Sequence, residues 1–317
     1  MRTTPAMRRL VAQISLEPRH LILPMFIADD ISKPQLIPSM PGVVIHTRDS
    51  LRRAAADAVT SGIGGLMLFG VPQKFNKDLT GINGSASNSI LNIALQDLTK
   101  DLGDSTILIA ETCLDEFTEH GHCGLLNSIG IVDNDATNVR YVELAISQAK
   151  SGAHIVSPSG MMDGQVTAIR RGLDIAGYPN VSILAYSAKF ASSLYGPFRE
   201  ATKCDLIGNR LTYQQDSRNI RESIYEIKLD IDEGADMVMI KPAIGYLDIV
   251  YASTIVSSVP VVAYQVSGEY AMACSMASNC WIGLQDAILE SLIGIRRAGA
   301  SFILTYWASS VARWLSE

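Results

Sequence analysis

Two lysines close apolar, β-like runs in this chain: Lys189 ends ILAYSAK and Lys241 ends DMVMIK just before a proline. An ammonium at the tip of a buried strand is costly unless it is paired or neutralised. Burial lowers a lysine pKa, and the neutral amine is the form that attacks a carbonyl to give an imine. A single such lysine reads first as a salt-bridged or snorkelling strand end. Two of them, on what look like successive strands, point to carbonyl chemistry.

A second group stands in ETCLDEFTEHGHCG, residues 111–124. Cys113 and Asp115 are two apart, so an extended chain faces them the same way. Cys123 can return to them through the glycine-containing HGHCG segment. Two thiolates favour zinc, and the carboxylate adds a harder oxygen ligand that also suits magnesium. His120 and His122 are alternative ligands or donors. Cys204, Cys274 and Cys280 read as free thiols. A third group is basic: Arg199, Lys203 and Arg210 lie in the weakly periodic stretch 195–219. Long loops of this kind often cover active sites, and guanidinium pairs with carboxylate through a two-pronged fork. A carboxylate-bearing substrate is expected.

The elements that would position these groups are legible as eight β-branched, apolar runs: 21–27, 65–71, 106–112, 153–159, 182–188, 236–242, 260–266 and 301–307. Segments with helical spacing lie between them. Gly62, Gly152, Gly234 and Gly299 fall just before four of the runs, where a helix C′ glycine belongs. The alternation predicts an α/β fold, a (β/α)8 TIM barrel, with a doubly wound open sheet as the alternative. A barrel puts chemistry at the C-terminal strand ends, which here carry Cys113, Asp115, Ser159, Lys189, Lys241, Ser267 and Tyr306.

Composition sets bounds on function. The chain has 317 residues, 48% hydrophobic, with mean hydropathy +0.19, which suggests a large core or subunit interfaces. A net charge of −6 supplies no global attraction to nucleic acid or anionic membrane. No apolar run approaches the roughly 20 residues of a membrane span, and the polar, basic start lacks a secretory core. Five scattered cysteines argue against a disulfide framework, so a cytoplasmic protein is expected.

The motifs LILPMF, HGHCGLL, PSGMMDG, YSAKFASSLYGPFREA, GADMVMIKP, VSGEYAM, LESLIGIRRAGA and LTYWA, in one order, span nearly the whole chain. With them the chain resembles the porphobilinogen synthase (5-aminolevulinate dehydratase) family. The resemblance implies a lyase that condenses two 5-aminolevulinate molecules to porphobilinogen for haem synthesis. It assigns Lys241 to the propionate-side substrate and Lys189 to the acetate-side one. It gives Arg199, Arg210 and Gln214 to the acetate-side carboxylate, Ser267 and Tyr306 to the propionate-side carboxylate, and Ser159, Tyr195 and Phe198 to the pocket wall. It implies a divalent metal at Cys113, Asp115 and Cys123, zinc being favoured, and a further magnesium at Glu226. A single barrel over 21–317 with an active-site lid around 195–219 is expected, preceded by an arm over 1–20 that joins subunits into a homo-octamer or hexamer.

Four positions depart from the family pattern. Asp115 stands for a cysteine, Glu111 and Gly160 for aspartates, and Asn209 for the aspartate of GDR; Asp163 is retained. The Gly160 change removes a carboxylate whose role in proton transfer is often worth about 10²–10⁴-fold in rate. Two other readings remain: a class I aldolase-type barrel, which needs only one lysine, and a catalytically impaired binding homologue.

Overall fold

The structure, a computed structural model, describes residues 1–316. Its strands are β1 (Leu21–Ala28), β2 (Gln35–Leu36), β3 (Val44–His46), β4 (Gly65–Val71), β5 (Ile107–Thr112), β6 (Ile155–Pro158), β7 (Ser182–Lys189), β8 (Met237–Lys241), β9 (Val261–Gln265) and β10 (Phe302–Thr305). β1 and β4 to β10 pair in parallel in chain order, and β10 returns to β1, closing an eight-stranded barrel. All eight expected runs are barrel strands. The hairpin of β2 and β3, whose second strand adds to the edge of β1, was not expected. Two- and three-residue strands are too short to leave a period in sequence.

Eleven α-helices occur among the described residues: α1 (Pro5–Leu10), α2 (Arg48–Thr60), α3 (Ile90–Leu102), α4 (Asn134–Lys150), α5 (Gln165–Ile175), α6 (Gly196–Thr202), α7 (Ile220–Asp232), α8 (Leu247–Val256), α9 (Ser267–Ser278), α10 (Leu284–Arg297) and α11 (Ala308–Ser316). Their local logic is ordinary. α2 starts from a Thr47/Ser50 capping box and buries Leu51, Ala55 and Ala58, one face at helical spacing. Gly62, Gly152, Gly234 and Gly299 all take positive φ one residue past a helix cap, as their placement suggested. Gly152 could not be otherwise: at φ +101°, an added Cβ would lie 2.1 Å from Thr99 Oγ1.

The barrel interior is apolar below and polar at the C-terminal mouth. Phe26 and Phe69 are fully buried, with ring centroids 5.4 Å apart. Phe198, on α6, closes over both at 5.7 and 5.2 Å. The stretch 195–219 is therefore not wholly irregular, because it opens with α6 seated on the barrel mouth. No residue before His20 is buried, and α1 buries none of its side chains. Among the described residues, no helix is long and apolar enough to cross a membrane.

Candidate active site

The decisive geometry is a register pairing. Lys189 and Lys241 end adjacent parallel strands and are direct partners across β7 and β8. An irregularity between Ala185 and Ala188 shifts the pairing just before them; such bulges re-aim side chains near active sites. Both lysines are buried and line one cavity of about 300 Å³ at the barrel mouth. With them stand Glu111, Asp115, Ser159, Tyr195, Phe198, Arg199, Arg210 and Gln214.

The Lys241 ammonium sits in an aromatic cage. Its Nζ is 4.6 Å from the Tyr264 ring centroid and 5.1 Å from those of Tyr186, Tyr195 and Phe198. Burial lowers its pKa to about 8, helped by the charge of Lys189 and opposed by Glu111. The Tyr195 hydroxyl donates to the backbone carbonyls of Phe190 (2.7 Å) and Lys241 (3.2 Å), fixing the strand end. Glu269 accepts from the backbone N–H groups of Val266 (2.6 Å) and Ile244 (2.5 Å), so one carboxylate ties the loops after β8 and β9.

Lys189 departs from the sequence expectation. Burial works against its ammonium, but Cys123, Cys113 and Asp115 outweigh that penalty and hold its pKa above the ordinary value. Its Nζ donates to the Ser159 carbonyl. The two lysines thus differ: one is poised to lose its proton, the other retains it beside an anionic cluster.

That cluster is Cys113, Asp115 and Cys123, whose ligand atoms all lie within 4.8 Å of one another in a buried site. The donor set suits a divalent cation: two sulfurs and a carboxylate converge, and burial excludes competing water. The hydrogen bond from Cys113, then Arg210 and Lys189, lowers the Cys123 thiol to about 7 against burial. Asp115 pairs with Arg210 at 2.7 Å; Arg210 and Lys189 overcome burial and hold its carboxyl well below the usual range. Glu116 beside it is pushed well up, by burial first and then by the Asp115 charge.

Arg210 therefore does more than face solvent from the loop. It also donates to the Gly121 carbonyl at 2.7 Å and lies 3.6 Å from Cys204 Sγ. Arg199 lines the cavity and enters no ion pair among the described residues. Gln214 Nε2 is buried there without a hydrogen-bond partner. Two anion-seeking donors thus face the same space. Ser267 and Tyr306 do not line this cavity. Ser267 Oγ accepts from Phe198 N–H at 3.0 Å, and the Tyr306 hydroxyl is 2.9 Å from that of Tyr264.

Other expectations divide. The two histidines stand outside the converging Cys113, Asp115 and Cys123 group. His122 Nε2 lies 2.8 Å from the Ile207 carbonyl and Nδ1 3.0 Å from the Tyr213 hydroxyl, while His120 accepts from His122 N–H. His122 joins the cysteine loop to the segment 195–219, while the other His120 ring nitrogen lies 3.3 Å from the Leu79 carbonyl. Cys204, Cys274 and Cys280 are free thiols, as expected, although Cys204 is buried and its pKa raised to about 12 by burial. Glu226 and Asp163 lie together in a second cavity, with Asp216, Asn219 and Glu222. Burial and neighbouring carboxylates, Asp163 first, raise Glu226 to about 7. Asn209 is at the first cavity's rim and accepts from Leu211 N–H at 3.0 Å.

Sequence reading missed Tyr186 and Tyr264. Tyr186 donates to Glu111 Oε2 at 2.7 Å, and Ser159 Oγ donates to Oε1. Burial raises the Glu111 carboxyl, against both lysine charges and these hydrogen bonds. Tyr186 lies three residues before Lys189 in β7, so inward-facing alternation around the bulge was the only available signal, and the bulge broke it.

Comparison with known proteins agrees with this geometry. The family profile described as Delta-aminolevulinic acid dehydratase matches residues 1–314. The chain belongs to the delta-aminolevulinic acid dehydratase family. A "Delta-aminolevulinic acid dehydratase" of Mycobacterium tuberculosis is 66% identical over 316 residues, covering 100% of this chain and 96% of that protein. One from Streptomyces coelicolor is 56% identical over 315 residues, covering 99% and 96%. The crystal structure of delta-aminolevulinic acid dehydratase (porphobilinogen synthase) from Toxoplasma gondii, in complex with the reaction product porphobilinogen, superposes with TM-score 0.96 at 39% identity, covering 99% of this chain and 89% of that one. The (β/α)8 barrel and the hydro-lyase class of the dehydratase family both apply to the chain. The aldolase alternative is not favoured.

Proposed function

We propose that the chain condenses two 5-aminolevulinate molecules to porphobilinogen with loss of two waters, Lys241 and Lys189 each forming an imine with one substrate. The carrying observation is the register pairing of two buried lysines over one cavity. Lys241, with a pKa of about 8, holds a useful fraction of neutral amine near neutral pH. Attack on a substrate ketone expels water and leaves an imine, an electron sink that acidifies the adjacent carbon. That carbon then bonds to the second substrate in an aldol-type step, and an amine-to-carbonyl bond closes the ring. Glu111, hydrogen-bonded by Ser159 and Tyr186 beside both lysines, is suited to move protons in the two dehydrations. Arg199 and Gln214 orient the acetate-side carboxylate, with Arg210 bridging that end of the cavity to Asp115. Holding both substrates makes the encounter effectively intramolecular.

The family is generally metal-dependent, and the finer reading is zinc on Cys113, Asp115 and Cys123, favoured by two sulfur donors. When bound there, the ion would favour the unprotonated substrate amine. A magnesium at Glu226 is supported by the carboxylates gathered in the second cavity. Ser267 and Tyr306 reach a second substrate carboxylate in this reading only after Phe198 shifts, since Ser267 now binds its backbone. A homo-oligomer joined through the arm over residues 1–20 is supported by α1 and its cap residue Val11, which leave Met7, Leu10 and Val11 exposed. Cytoplasmic residence remains part of the proposal.

The test is borohydride trapping with 5-aminolevulinate alongside a porphobilinogen assay under zinc, magnesium and chelator. Label should map to Lys241, and Lys241→Ala should abolish both label at that strand and product. Metal-replete protein that forms no product and traps no substrate would leave the impaired-homologue reading standing instead.

A further inference from the structure

Gly160 is one of the positions that departs from the family pattern, and its φ is not positive, so its backbone does not demand glycine. Space does. A Cβ there would lie 2.3 Å from the Tyr141 hydroxyl oxygen and 2.5 Å from its ring Cζ. Tyr141 is fully buried on α4. Its hydroxyl donates to the Cys123 carbonyl at 2.9 Å and also lies 3.4 Å from Cys113 Sγ. One phenol therefore touches both cysteines of the Cys113, Asp115, Cys123 cluster. One turn earlier on the same helix face, Thr137 Oγ1 accepts from Leu125 N–H at 2.9 Å. α4 thus holds the cysteine loop at two points, and only one of them reaches a ligand atom.

We propose that Tyr141 is the positioning residue of this centre, and that position 160 is glycine because the phenol occupies the volume its side chain would need. The proposal rests on the reading of the cluster as a metal site. A neutral hydroxyl lies beside the thiols, and Asp115 and Glu111 are the carboxylates lining the cavity. A hydrogen bond to a ligating sulfur fixes its direction and tunes its donor strength, as outer partners do at metal sites.

The experiment uses full-length Tyr141→Phe, which keeps the ring and removes the hydroxyl. Cadmium is the probe, read by its thiolate charge-transfer absorption and by chelator competition. Cadmium affinity should fall about 10-fold or more, the usual cost of losing an outer hydrogen bond, with a displaced absorption band. A purely structural role would lower the melting temperature and leave both metal readouts alone, and that result overturns the proposal. Gly160→Ala supplies the steric arm. It should reproduce the loss of affinity in the wild-type background and add nothing in a Tyr141→Leu background. Equal effects in both backgrounds refute the steric claim. If the wild-type chain binds no cadmium, the metal-centre reading itself fails and the inference falls with it.

Discussion

The depressed pKa of Lys241 makes a quantitative prediction about when this enzyme can begin catalysis. At pH 7 a lysine of pKa about 8 is roughly 9% neutral, whereas one at 10.5 is about 0.03% neutral, a difference of about 300-fold in attacking amine. The perturbation is pH itself, applied to single-turnover trapping. Enzyme is mixed with 5-aminolevulinate, quenched with borohydride after a fixed short delay, digested, and the label at each lysine measured by mass spectrometry. Label at Lys241 should rise about tenfold from pH 6 to 7 and level off between 8 and 9. Label at Lys189, whose ammonium is favoured by Cys123, Cys113 and Asp115, should follow at higher pH. Lys189→Met removes the like charge named as the second cause of the depression, so the Lys241 midpoint should move upward. Burial remains the larger cause, so the midpoint should stay below that of an ordinary lysine. Label at Lys241 that keeps climbing tenfold per pH unit through pH 10 would refute the reasoning, because burial would then not be setting the proton affinity.

Three further outcomes are expected. Cys123→Ser removes a ligand atom, so its loss of zinc affinity, measured by chelator competition, should exceed the ~10–100-fold typical of an outer hydrogen-bond partner. Asp230, buried behind β7, has its carboxyl raised to about 7, chiefly by burial. The folded state then keeps a proton that the unfolded chain, near 3.8, has released, so this contribution to stability is lost as pH rises through about 7. Asp230→Asn should flatten urea-measured stability between pH 4 and 7, an effect on the order of a few kcal/mol, and an unchanged slope would count against a buried neutral carboxyl. Phe26→Ala opens a cavity under Phe69 and Phe198 and should cost about 3–5 kcal/mol in urea unfolding; a loss under 1 kcal/mol would mean that the mouth collapses around the gap.

Much was legible before any coordinates, because it depended on local rules. Apolar runs of strand length mark β1 and β4 to β10, since strands covered on both faces are hydrophobic throughout. Glycines past helix ends mark the turns that need positive φ. Cys113, Asp115 and Cys123 were legible as a cluster because two lie at strand spacing and the third returns through a short glycine-containing loop. What was not legible is equally specific. His120 and His122 carry the right chemistry, but Ile207, Tyr213 and the backbone already use their nitrogens. Arg210 looked like a substrate clamp, and it also bonds a carboxylate 95 residues earlier in the chain.

By itself, the sequence determined the closed alternation of strands and helices, the two lysines at strand ends and the identity of the cluster. These follow from period, residue type and short-range spacing. Tertiary structure alone decided how each group behaves. Lys241 loses its proton easily because burial and a neighbouring ammonium both disfavour its charge. Lys189, on the adjacent strand, keeps its proton because thiols and a carboxylate lie beside it. The Gly160 change, which in sequence looked like a lost carboxylate, is in space the room required by Tyr141. Proton affinity and steric fit depend on neighbours distant along the chain, and those neighbours are set only when the barrel closes.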